Sequence, residues 1–72
     1  MRRAMKKITY VPTLSPRMTR VMLGRTRVGT IFKTETPNGF RWFYRPHGAS
    51  KIHDGPLHES IEAVKRDIEG AT

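Results

Sequence analysis

In the run Gly39-Phe40-Arg41-Trp42-Phe43-Tyr44-Arg45, every second residue from Arg41 onward reads Arg, Phe, Arg. Side chains two apart on an extended strand share a face, so Arg41, Phe43 and Arg45 stand in one row. Cations interleaved with an aromatic ring hold phosphates and stack a base. Lys33 joins that row if the preceding apolar run folds back as a hairpin. A second supply of the same chemistry lies upstream. Residues 1–27 carry Arg2, Arg3, Lys6, Lys7, Arg17, Arg20, Arg25 and Arg27 and no acid. If six of these cations met phosphates, log affinity would fall with log salt at a slope of about −5.

Catalytic chemistry is poorly supplied. His47, His53 and His58 are the only side chains that titrate near neutrality, and with Asp54 they match no standard zinc spacing. Ser15, Ser50 and Ser60 have no local base or oxyanion context that would activate a nucleophile. Neither an enzyme nor a metal or other cofactor is expected. Solvated loop histidines are the simpler reading.

The elements that must position the row follow from pattern. Val28 to Glu35 and Phe40 to Arg45 are rich in β-branched and aromatic residues and flank Pro37-Asn38-Gly39, which suits a type I turn followed by a positive-φ glycine. A three-residue loop pairs Glu35 with Arg41, Thr34 with Trp42, Lys33 with Phe43 and Phe32 with Tyr44. It sets Phe32, Phe40, Trp42 and Tyr44 on one face and Lys33, Arg41, Phe43 and Arg45 on the other. Ser50 to His53 fits a third strand. Leu57, Ile61, Val64 and Ile68 then make one stripe of an amphipathic helix, with Glu59 and Glu62 in its first turns. The fold expected is α+β: a small three-stranded antiparallel sheet packed by one C-terminal helix (β-β-β-α). Its core is Val28, Phe32, Phe40, Trp42, Tyr44, Ile52, Leu57, Ile61, Val64 and Ile68.

Ahead of this body, residues 28–72, lies the extended basic N-terminal arm, residues 1–27. Within the arm Ile8 to Val11 fits a short strand ended by Pro12. Ser15-Pro16 fits a helix start and Gly24 a helix stop, with Met18, Val21 and Met22 spaced i, i+3, i+4. The same stretch also fits an extended arm, since two helical turns are unstable without packing. By segment the charge is +8 over residues 1–27, +2 over 28–56 and −2 over 57–72. The arm thus holds all of the net charge, which points to a polyanion.

Seventy-two residues bound the chain to one small domain, and without cysteine no disulfide or thiolate zinc site staples it. No apolar run approaches the roughly 20 residues that span a bilayer, and no apolar stretch follows the positive start as in a signal peptide. A cytoplasmic monomer without a membrane partner is expected.

The Gly39–Tyr44 hairpin, the short strand and the Leu57–Ile68 helix resemble the sheet-plus-helix DNA-binding modules of arm-type phage integrases, over residues 28–70. That resemblance implies duplex reading by the sheet, with Lys33, Arg41, Phe43 and Arg45 in contact. Length, basic charge, arm and minimal body are similar to those of small lytic-phage proteins that bind host RNA polymerase as transcription inhibitors or antiterminators. That resemblance implies an arm gripping the acidic, RNA-lined exterior of the polymerase. The function expected first is therefore a non-enzymatic, phage-encoded regulator of transcription that binds polymerase, its nucleic acid, or both. A duplex-DNA module of integrase-arm or excisionase type is the alternative, and a small packaging or assembly protein a third.

Overall fold

The structure, a computed structural model, describes residues 7–70. Strands β1 (Ile8–Pro12), β2 (Met18–Leu23), β3 (Thr26–Thr36) and β4 (Gly39–Pro46) form one antiparallel meander in that order, followed by a single helix, α1 (Ile61–Gly70). The α+β class and the C-terminal helix stand. The sheet, however, has four strands, and two of them come from residues expected in the arm. Turn chemistry is the reason. Ser15 Oγ accepts the Arg17 N–H at 3.2 Å, and Thr13 Oγ1 accepts the Ser15 N–H and donates to the Met18 carbonyl. Ser15-Pro16 therefore turns the chain between β1 and β2 instead of capping a helix. Gly24 takes φ +62°, and among the described residues only glycines have positive φ, so Gly24-Arg25 suits the two-residue hairpin linking β2 to β3. Arg2, Arg3 and Lys6 lie outside the described residues.

The β3–β4 hairpin forms around Pro37-Asn38, with Gly39 at φ +106° and Thr36 Oγ1 donating to the Gly39 carbonyl at 2.7 Å. Its register differs by one residue from the expected one: Glu35 opposes Phe40, Thr34 Arg41, Lys33 Trp42, Phe32 Phe43 and Ile31 Tyr44. A one-residue slip exchanges the faces of a strand, so Phe32 joins Phe43 and Lys33 joins Trp42. Two contacts explain why this register wins. Ile31 is inward, 1% exposed beside the fully buried Val21, and burying such a side chain is worth about 1.5–3 kcal/mol. The Tyr44 ring fills the place a Cβ would take at Gly29, and its hydroxyl donates to the Val28 carbonyl at 2.6 Å. Val28 is the extra residue of a β-bulge, since Val21 opposes Gly29 and Met22 opposes Arg27.

α1 begins at Ile61, where Ser60 Oγ accepts the Ala63 N–H at 3.2 Å. Val64 and Ile68 are buried against Val21 and Ile31, with Ile8, Tyr10, Val28, Trp42, Tyr44 and Ile61 packed around them. The expected stripe holds from Ile61 onward. Leu57 precedes the helix and is 54% exposed, because His58 is held extended by paired backbone hydrogen bonds with Trp42, 2.9 and 2.7 Å. The expected third strand is absent as well. Lys51–His53 is a single 3₁₀ turn that leaves Ile52 86% exposed, and the Gly55 N–H instead reaches the Tyr44 carbonyl at 2.8 Å. Phe40, also expected in the core, is 39% exposed near the hairpin tip. The helix covers one face of the sheet; among the described residues, no element covers the other.

Candidate nucleic-acid interface

The helix-free face follows from strand parity and register. One cross-strand row runs Val11, Arg20, Thr30, Arg45; the next runs Met18, Phe32, Phe43; Thr34 and Arg41 lie beyond it, and Met22 and Arg27 flank the other side. Thr30 is only 8% exposed on this face, on an inner strand with Arg20 and Arg45 as its cross-strand neighbours. The Phe32 and Phe43 rings stack at 5.4 Å between centroids and 20° between planes. The Arg45 guanidinium lies 4.6 Å from the Phe32 centroid and 5.8 Å from that of Phe43. Asp54 fixes it there with a two-pronged contact, Nε to Oδ1 at 2.6 Å and Nη2 to Oδ2 at 3.1 Å. That hydrogen bonding holds the Asp54 carboxyl below its ordinary range and raises Arg45 further.

Arg20 is half-buried, and its Nε is enclosed without a hydrogen-bond partner. Arg41 curls toward the hairpin, donating from Nη1 to the Phe40 carbonyl at 2.8 Å. Lys33, expected in the Arg41–Phe43–Arg45 row, stands on the opposite face. Its Nζ lies 4.4 Å from the Phe40 ring and 5.6 Å from Trp42, and Arg17 approaches Phe40 at 5.4 Å. Of the remaining expected arm contacts, Lys7 precedes β1, Arg25 occupies the β2–β3 turn and Arg27 is the second residue of β3. The arrangement therefore places Arg20, Arg41 and Arg45 in the rows on either side of an aromatic pair, with Arg27 one row further out.

Acids are kept away from this surface. Glu62, Asp67 and Glu69 ride on α1 across the sheet, Glu59 just precedes the helix, and Glu35 shares the parity of Lys33. Only Asp54 reaches the arginine face, and it is bound to Arg45. Tyr10 marks the helix side: its hydroxyl donates to Glu69 Oε2 at 2.5 Å, and Lys65 Nζ lies 4.5 Å over its ring. His47 and His53 are exposed, and His58 Nε2 stands 3.5 Å from Asp67. No three metal-ligating side chains converge among the described residues.

Sequence reasoning placed Arg41, Phe43 and Arg45 together and missed Phe32, Met18 and Arg20 as their neighbours. A signal for Arg20 was present. Thr19, Val21 and Leu23 alternate with Met18, Arg20 and Met22, which is the period of a strand with one face inward. Comparison with protein-family models, with curated proteins and with solved structures finds no match.

Proposed function

We propose that this chain is a non-enzymatic nucleic-acid-binding protein that lays the helix-free face of its sheet on the phosphate backbone. One observation carries the reading: arginines surround a stacked phenylalanine pair on the uncovered face, while the helix side holds the acids. Such segregation orients the molecule toward a polyanion, and the two kinds of side chain match phosphate and base. The expected polymerase-docking regulator drew its support from an arm that orders on binding. With residues 8–12 and 18–23 in strands and β3 starting at Thr26, Arg17, Arg20, Arg25 and Arg27, half of those eight cations, sit on a formed sheet and its turns, which favours nucleic acid over a protein groove as the partner.

The test is fluorescence anisotropy with labelled mixed-sequence oligonucleotides across a salt series. Binding should weaken steeply with salt. Arg20→Ala with Arg41→Ala should flatten the slope of log affinity against log salt by about 1.4 to 1.8. Absence of binding at 50 mM salt, or an unchanged slope in the double variant, would overturn the proposal.

A further inference from the structure

We infer that the nucleic acid taken by this face is single-stranded, with a base stacked on Phe43 and phosphates on the flanking arginines. The inference rests on the nucleic-acid reading above and narrows it to one substrate class.

Three features of the face select a single strand. The first is the composition of its middle. Met18, Phe32 and Phe43 offer apolar surface and no strong hydrogen-bonding group, so this row itself cannot read base edges. What they can do is stack, and a duplex hides its π-faces. The second is width. Four strands about 4.8 Å apart set the outer two about 14 Å from each other, wider than the roughly 12 Å major groove. The third is spacing. Residues i and i+2 on a strand lie about 6.8 Å apart, twice the roughly 3.4 Å rise between successive stacked bases of a duplex. Arg41, Phe43 and Arg45 thus suit a strand whose bases are splayed apart.

The aromatic pair is also asymmetric. Arg45 is pinned by Asp54 closer to Phe32 than to Phe43, so Phe32 is already in contact with a flat group. Phe43 is the ring left for a base. It lies on β4 with Arg41 and Arg45 two residues away on either side of it, on the same face. Base–aromatic stacking tolerates any base, so little sequence preference is expected. DNA and RNA single strands share this chemistry.

The test uses the full chain and anisotropy at 100 mM salt with three labelled probes: a 12-nucleotide oligo-dT, a 12-nucleotide oligo-rU and a 12-base-pair duplex. At least one single strand should bind tenfold or more tighter than the duplex, and the stronger of the two identifies the sugar preferred. Phe43→Ala should weaken single-strand binding by about five- to a hundredfold. Phe43→Leu, which keeps apolar bulk and guards against misfolding, should weaken it similarly, while Phe43→Tyr should hold wild-type affinity. Duplex binding equal to or tighter than single-strand binding would overturn the inference and leave the nucleic-acid reading standing. Wild-type affinity in Phe43→Leu would also overturn it. Failure to bind all three probes would sink both.

Discussion

Asp54→Asn is the most informative single substitution, because it changes the charge of the arginine face without removing a cation. Among the described residues, Arg45 is the one arginine of that face with a carboxylate partner, at 2.6 and 3.1 Å. Asparagine keeps the shape and one acceptor but leaves the guanidinium uncompensated, raising the net charge of +8 by one. Each further phosphate neutralised on a single strand steepens the slope of log affinity against log salt by about 0.7. Across the fourfold change from 50 to 200 mM salt, that adds a factor of about 2.6 to the loss of affinity. The comparison cancels whatever residues 1–7 contribute, since both proteins carry them. Surface ion pairs contribute little stability, so the variant should remain folded by circular dichroism. Anisotropy at five salt concentrations measures the slopes, with the variant the tighter binder at the low-salt end. Parallel slopes, or weaker binding by the variant at every salt concentration, would refute the argument that Asp54 restrains Arg45.

Further outcomes follow from the fold. Gly29→Ala places a methyl group on the Tyr44 ring and forces apart the contact that specifies the β3–β4 register. Such overpacking should cost about 1–3 kcal/mol, read as a fall of several degrees in melting temperature for each kcal/mol. Both tyrosines ionise above the ordinary value of 10: Tyr44 through burial, and Tyr10 through burial and then through its bond to the Glu69 carboxylate. An acid whose native pKa is raised lends stability that is complete below pH 10 and lost as pH rises beyond it. The native protein should therefore show little phenolate absorbance at 295 nm at pH 10, where about half of an unfolded tyrosine is ionised, and it should unfold more readily above that pH. Asp54 behaves in the opposite sense. Held below its ordinary 3.8 by Arg45, it lends stability present above that pH and lost as pH falls through its lower native value. Acid unfolding of Asp54→Asn should lack that component.

Local signals were legible wherever one mechanism acted alone. Pro37-Asn38-Gly39 has few uses other than a turn, and Ile61, Val64 and Ile68 fit only a helix packed on one side. β4 was legible too, because Phe40, Trp42 and Tyr44 alternate with Arg41, Phe43 and Arg45 over an unbroken run. β2 was not, since Met18, Val21 and Met22 satisfy a helical spacing while Thr19, Val21 and Leu23 satisfy a strand. Ser15-Pro16 also serves a cap or a turn equally well, and Thr13 tips the balance through hydrogen bonds that no spacing reveals. The hairpin register depended on a contact between Gly29 and Tyr44, fifteen residues apart. That misassigned Phe32 and Lys33 together, because a shift of one moves both. The Asp54 partner of Arg45 arises from the 3₁₀ turn at Lys51–His53, where a strand was expected.

The backbone pairing of Trp42 with His58, together with Gly55 on Tyr44, has a bearing on self-association. An uncovered edge strand templates the addition of another chain. Here Gly55 and His58 occupy the outer hydrogen-bonding groups of Trp42 and the Tyr44 carbonyl in the middle of β4, the longer of the two edges, so that side of the sheet cannot easily be extended. The edge left is β1, only five residues long and ending in Pro12, which has no N–H to donate. A sheet stopped at both sides in this way can keep one broad apolar-and-arginine face uncovered in a protein of 72 residues without inviting ladder growth into fibrils.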